Sequence, residues 1–227
     1  MAPYAANFGD PEMVDPEVRR KRMRRIAALV VLVWVVVALL AATRVHNPDP
    51  EYAFLDVLAD GTPVAYPCGP IGVVVDSDGG PDDWRAQVDE ALDAVGVASE
   101  YELVDLSDAP ASEQVEPLIR IRWSDAAADR SLAGSVVGRA GSYVDVGDSR
   151  HYAGGRVVLD TQGSGTYAAE DRQATLQHEL GHVLGLDHVG SPYELMATGQ
   201  ERQTSQFGPG DRLGLTALQE ASCPGSG

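Results

Sequence analysis

The sequence predicts an α+β fold built on a sheet of about five strands and two long helices. Two observations carry this expectation. From Ile71 onward, short β-branched or alternating apolar runs take turns with stretches at helical spacing. The strongest helical stretch, from about Tyr167 or Glu170 to Leu184, keeps apolar residues on one side and histidines with an acid on the other.

Ahead of the sheet lie stretches of very different composition. Residues up to Val18 are rich in Pro, Ala and acids without helical or strand period, the composition of a disordered tail. Arg19-Arg20-Lys21-Arg22-Met23-Arg24-Arg25 follows, then the uncharged run Ile26 to Thr43, about long enough for one bilayer crossing. Basic residues before it and only Arg44 soon after it put the amino terminus in the cytoplasm. A cleaved signal peptide is the alternative. Its apolar region is shorter, and Leu40-Ala41-Ala42 lacks the first small residue of a cleavage site. Either way the rest of the chain is expected outside the cytoplasm. The expected organisation is a cytoplasmic basic tail (1–25), a single-pass signal anchor (26–43), a stalk and lead-in (44–66) and a folded domain (67–227).

In the lead-in, His46-Asn47-Pro48-Asp49-Pro50 cannot hold a regular helix, and Phe54 to Leu58 is a short apolar patch able to pack on the domain. Ile71 to Val75 reads as a buried strand. Asp82 is the expected cap of a helix through Trp84, Val88, Ala91, Leu92 and Val95, ended by Gly96. Tyr101 to Leu106 and Leu118 to Trp123 are the next strands. The second alternates Ile119, Ile121 and Trp123 with Arg120 and Arg122, so one face is expected to be wet. Ala133 to Ala140 and Arg156 to Leu159 complete the sheet, with Gly141 to Gly155 a loop between them. Thr166 is placed to cap the long helix, Glu170 and Asp171 suit the positive end of its dipole, and Leu176, Leu180, Val183 and Leu184 form its buried stripe. Asp211 is placed to cap a last helix, Arg212 to Ala221.

The chain carries 17 Lys and Arg against 34 Asp and Glu. Residues 44–227 hold 11 basic and 30 acidic side chains, a net charge of −19. So acidic a surface repels nucleic acid, and no nucleic-acid partner is expected. Colloidal repulsion is the favoured use of that charge.

The residues that carry chemistry are His178-Glu179-Leu180-Gly181-His182-Val183-Leu184-Gly185-Leu186-Asp187-His188, which read H-E-x-x-H-x-x-G-x-x-H. On a helix, His178 and His182 stand one turn apart on the same side. Two imidazoles placed so can hold one metal ion, with Glu179 beside them to act on a water. A helix continuing past Gly185 would carry His188 away. Glycine takes a left-handed conformation cheaply, so the chain can turn there and bring His188 back. Three neutral nitrogens and one open position are the plan of a catalytic zinc site. Gly181, between the ligands, is expected to let another backbone come close. The five fixed residues would arise by chance in roughly one chain in a hundred thousand of this length.

With Met196 downstream in Glu194-Leu195-Met196-Ala197-Thr198, the extended motif resembles that of the metzincin zinc peptidases, and among them the matrixin-like bacterial peptidases. Pro67-Cys68-Gly69-Pro70-Ile71, Gly155-Arg156-Val157-Val158-Leu159-Asp160 and Phe207-Gly208-Pro209-Gly210-Asp211-Arg212-Leu213-Gly214-Leu215 match too, so the resemblance spans roughly Ala65 to Cys223. It implies a twisted, mostly parallel sheet, then a small C-terminal subdomain with a Met-turn and one helix. It implies one catalytic Zn2+ on His178, His182 and His188, Glu179 as general base, Met196 as an apolar floor and Asp211 tying down the Met-turn backbone. The chain departs from matrixins at Val189, where serine is usual, and at Thr198, where proline is. The His-Gly-Asp and Phe-Asp-Gly motifs that bind structural ions in matrixins are absent. The loop with Asp145, Asp148 and His151 is therefore expected to be bare, with no structural Ca2+ or second Zn2+.

Cys68 and Cys223 bracket the domain on the side where disulfides persist, and a bond between them is expected. The other use of Cys68 is as a latency thiolate, since Pro67-Cys68-Gly69 faintly resembles the matrixin latency peptide. The expected activity is hydrolysis of extended peptides by a membrane-anchored zinc endopeptidase, its edge strand Ala133 to Ala140 receiving the substrate main chain and the space between His188 and Phe207 forming the wall of the main side-chain pocket. Two rival readings are a non-catalytic peptide- or wall-binding module and an amidase acting on cell-wall peptides.

Overall fold

Ile71–Asp76, a mostly buried β-branched run, forms the inner strand β2, after a two-residue strand β1, Ala53–Phe54. A computed structural model describes residues 49–144, 147, 150–161, 167–198 and 202–223, together with 29, 30 and 33. The acidic tail, the basic run, most of Ile26 to Thr43, Arg44, His46, Asp145, Asp148 and Thr166 lie outside the described residues. Among those described, no helix is long and apolar enough to cross a membrane. The chain divides between Asn47 and Pro48, and the sheet with all its packed helices belongs to the second part.

After β2 come helix α1 (Trp84–Ala98), β3 (Leu103–Asp105), β4 (Leu118–Ser124), β5 (Gly138–Val144), β6 (Tyr152–Asp160), helix α2 (Ala169–Leu184), β7 (Leu186–Asp187) and helix α3 (Pro209–Ser222). The five-stranded sheet has the order β3-β2-β4-β6-β5. β3, β2, β4 and β6 run parallel to their neighbours, and β5 lies antiparallel to β6 at one edge. Over residues 49–223 as described, the structure is thus α+β, with three α-helices and a mixed five-stranded sheet.

Val73, Ile119, Ile121 and Val157 of the central strands are fully buried, and α1 supplies Val88, Ala91 and Val95 to the same core. On β4, Arg120 is exposed and Arg122 is half-buried, paired with Asp129, while Ile119 and Ile121 point inward. The lead-in belongs to this part of the chain. Val64, Ala65 and Tyr66 are core residues, and Ala53, Phe54 and Leu58 pack against it.

Several expectations are corrected. β5 runs over Gly138–Val144 and not Ala133 to Ala140, and β6 starts at Tyr152, so most of the anticipated loop Gly141 to Gly155 is a hairpin of strands. The two glycines of β5 hide its strand character. Pairing along nearly the whole of β6 overrides that weak local preference. Gly96 sits inside α1, which ends only where Ser99 turns back, its hydroxyl donating to the Val95 carbonyl. Asp83, not Asp82, holds the N-cap position of α1. α3 begins at Pro209 with Gly208 as N-cap, and Asp211 serves from inside the first turn by accepting the Gly208 N–H.

The long helix α2 packs on β5 and β6 beside α1. Leu176, Leu180, Val183 and Leu184 are buried to within 1%, and each such side chain contributes roughly 2 kcal/mol. That sum readily offsets the cost of holding polar side chains on the helix's other face. Cys68 and Cys223 form a disulfide, Cα atoms 5.4 Å apart, closing a loop of 155 residues.

Candidate metal centre

His178 and His182 lie in the last turns of α2, which stops at Gly185. Gly185 has φ +119°, and its N–H donates to the carbonyls of Gly181 and His182. A side chain there would be strained, so the left-handed stop falls to glycine. The chain reverses at once into β7, and His188 comes back over the helix. Its Nε2 stands 3.2 Å from that of His178 and 3.1 Å from that of His182. Two nitrogens bound to one tetrahedral zinc at 2.0–2.1 Å lie about 3.3 Å apart, so the spacing suits such an ion.

The protons settle what this cluster can do. His178 Nδ1 is 2.8 Å from the Leu195 carbonyl and His182 Nδ1 is 2.8 Å from the Leu186 carbonyl. A carbonyl only accepts, so both Nδ1 atoms carry the hydrogen. In a neutral imidazole the Nε2 is then a bare lone pair. Burial, with the neighbouring imidazoles, holds His178 down to about 3, and burial also lowers His182. At neutral pH, two lone pairs therefore face one point that the His188 Nε2 also approaches, an arrangement that a cation would satisfy. Carbonyls gripping the outer nitrogens also fix each ring's orientation. Among the described residues, these three histidines are the one group of His, Cys, Asp or Glu close enough to share an ion. His151 lies apart from them, in a bridge with Ala65.

Glu179 is buried, and burial raises its carboxyl to about 7 against the pull of Arg139. It opens on a cleft of about 350 Å³ lined by Leu55, Gly138, Arg139, Ala140 and Asp187 with the three histidines. The edge strand runs so close that a Cβ on Gly138 would stand 2.8 Å from Glu179 Oε1. Bare backbone at Gly138 leaves room for the carboxylate beside the strand's free edge.

Beneath the helix, Met196 is 1% exposed and lies against Gly181, together with Phe207. What comes close to Gly181 is thus the Met196 thioether, not a backbone, and Phe207 is a core residue. Asp211, also 1% exposed, accepts the N–H groups of Leu195, Met196 and Gly208. Glu194 accepts those of Gly210 and Asp211 in return. Burial lifts the Asp211 carboxyl to about 6 although its three N–H donors pull it down. Because Leu195 also carries the carbonyl that orients His178, this buried knot reaches the centre through one residue.

Leu55, Gly138, Glu194 and the two orienting carbonyls escaped the reading of the sequence. The glycine pair in Gly138-Arg139-Ala140-Gly141 was the available signal for a close approach. No signal marks a backbone carbonyl.

No protein-family model matches this chain. No curated protein matches it either. Among solved structures, the GM1-bound form of the ECX AB5 holotoxin is similar over 66% of this chain and 80% of that one, at 14% identity and a TM-score of 0.42. Metalloproteinase-II from Bacteroides fragilis is similar over 77% of this chain and 59% of its own, at 17% identity and a TM-score of 0.39. High choriolytic enzyme 1, a hatching-enzyme zinc protease from the medaka fish Oryzias latipes, is similar over 60% and 55%, at 15% identity and a TM-score of 0.34.

Proposed function

We propose that this chain is a zinc-dependent endopeptidase of the metzincin type, nearest the matrixin-like peptidases, that hydrolyses extended peptides outside the cytoplasm. In this reading the run Ile26 to Thr43 anchors it in the membrane, with the amino terminus in the cytoplasm. The observation that carries the reading is the meeting of three imidazole Nε2 atoms, two of which have no proton to donate. A zinc ion held there would supply Lewis acidity, lowering the pKa of a water to about 7 and polarising a carbonyl.

His178, His182 and His188 would hold the ion, leaving the cleft side open. Glu179, buried and lining the same cleft as the three histidines, is placed to move a proton between a water and the leaving group. It takes one from the attacking water and delivers it to the leaving amine. A substrate main chain adds to the free edge of β5, whose outer N–H and C=O groups have no neighbouring strand among the described residues. Gly138 and Ala140 keep that approach unobstructed.

The test is bound zinc and peptide cleavage by the full-length chain in detergent, with and without chelator. About one zinc per chain is expected, and cleavage that stops when the metal is stripped. Glu179→Gln should slow cleavage by about 10²- to 10⁴-fold while retaining zinc. If that variant cleaves as fast as wild type, Glu179 is not the base. Cleavage confined to cell-wall peptides would point instead to the amidase reading.

A further inference from the structure

The cleft holds an exposed aliphatic side chain for which the proposed chemistry has no use. Leu55, just beyond β1, lines it beside Gly138, Ala140, Asp187 and the histidines, and is 41% exposed. Three attachments bring it there. β1 pairs antiparallel with β7, Ala53 opposite Asp187 and Phe54 opposite Leu186, and the Leu55 N–H donates to the Gly185 carbonyl at 2.9 Å. The Glu51 carboxylate accepts the Ser191 N–H at 2.8 Å. The Glu51 backbone rests on Gly210, where any Cβ would collide with it, and Tyr52 rests on Gly214.

The segment Glu51–Leu55 therefore grips the chain on both sides of His188, at 185–187 and at 191. The same turn is otherwise held by Asp187 accepting the His188 N–H and by Val189 bonding with Met196 and Thr198. α2 holds the backbone of His178 and His182 through its own ladder of bonds, whereas the backbone that carries His188 is held by partners from elsewhere in the chain. Ligand groups misplaced by even an ångström lose much of their affinity.

We propose that Glu51–Leu55 is a working part of the site: Glu51 and the β1–β7 pairing hold the turn that carries His188, and Leu55 forms one wall of a subsite for an apolar side chain of the substrate. This rests on the zinc-peptidase reading of the site. Glu51 is a positioning residue and Leu55 a specificity-determining one. Leu55 is aliphatic, partly exposed, lines the cleft together with Gly138 and Ala140 of β5, and is tied in place by its own N–H.

The test compares full-length wild type with Glu51→Ala, Glu51→Gln, Leu55→Ala and Leu55→Trp. Zinc affinity is read by chelator competition, subsite preference with a peptide library, and the Ser191 amide by hydrogen exchange in zinc-free protein. Glu51→Ala should weaken zinc binding about tenfold and speed Ser191 exchange. Glu51→Gln keeps an accepting oxygen and should stay within about twofold of wild type in both. The Leu55 variants should bind zinc as wild type does, with Leu55→Ala favouring larger apolar substrate residues and Leu55→Trp smaller ones by about tenfold. Unchanged zinc affinity and Ser191 exchange in Glu51→Ala would overturn the positioning role, and an unchanged library profile in both Leu55 variants would overturn the subsite. A wild-type chain that binds no zinc sinks the peptidase reading instead, and the exchange rates still decide whether Glu51 holds the turn.

Discussion

His178 and His182 reach the centre on a helix, whereas His188 reaches it on a turn. The backbone of the helix-borne pair is held by the ladder of α2, and their rings are oriented by the carbonyls of Leu186, four residues from His182, and Leu195, 17 from His178. The turn-borne ligand depends on Glu51, 140 positions away in sequence, and on a two-residue strand pairing. The pair thus inherits the stability of a helix packed on the sheet. The third ligand is as firm as a handful of single hydrogen bonds, each worth about 1 kcal/mol. If the proposed function holds, a metal site assembled so can lose its third ligand while its first two remain in place.

Changes that spare neither helix nor turn do the most damage. Cys68→Ser with Cys223→Ser releases a loop of 155 residues and should lower stability by about 3–5 kcal/mol, measured by urea denaturation, with helix and turn unfolding together. Separate transitions for the two would show that they are independent units. Asp211→Ala comes next. It leaves the N–H groups of Leu195, Met196 and Gly208 without their buried acceptor and should cost about 3 kcal/mol. Zinc affinity should fall with it, since Leu195 orients His178; intact affinity would mean that the helix holds its ligands unaided.

A pH series probes the helix side alone. The Glu179 carboxyl titrates near 7 in the folded chain against 4.5 as the ordinary value. Between those values the folded state holds the extra proton, so stability is present at low pH and lost as pH rises through about 7. Zinc-free wild type should therefore lose about 2 kcal/mol relative to zinc-free Glu179→Gln between pH 4.5 and 7. A difference flat in pH would mean that Glu179 is not held in a dry site. The smallest effect is expected for Gly138→Ala. Its methyl would press on Glu179 Oε1 and should lower kcat/KM about tenfold, zinc content unchanged.

The same division explains what could be read from the residues alone. The helix half of the site was legible: spacing placed His178, Glu179 and His182, the apolar stripe placed Leu180 and Leu184, and Gly185 marked the stop. β2 and β4 were legible to within a residue because their β-branched runs are buried. β5 was misplaced because its glycines carry no strand signal and its order comes from β6. Gly96 looked like a helix end because propensity there is local, while packing carries α1 on to Ala98. The attachments of Glu51, Leu55 and Glu194 were illegible, since nothing near a residue in sequence declares a partner far from it.

β5 is the sheet's last strand, its outward amides and carbonyls unmatched among the described residues. An edge open to one extended peptide is open to the same edge of another copy. The net charge of −19 on residues 44–227 acts as the deterrent, and it works only over the Debye length, about 10 Å at 0.1 M salt and 3 Å at 1 M. Concentrated salt should therefore make copies of this chain adhere, so its solubility and its openness to substrate pull against each other.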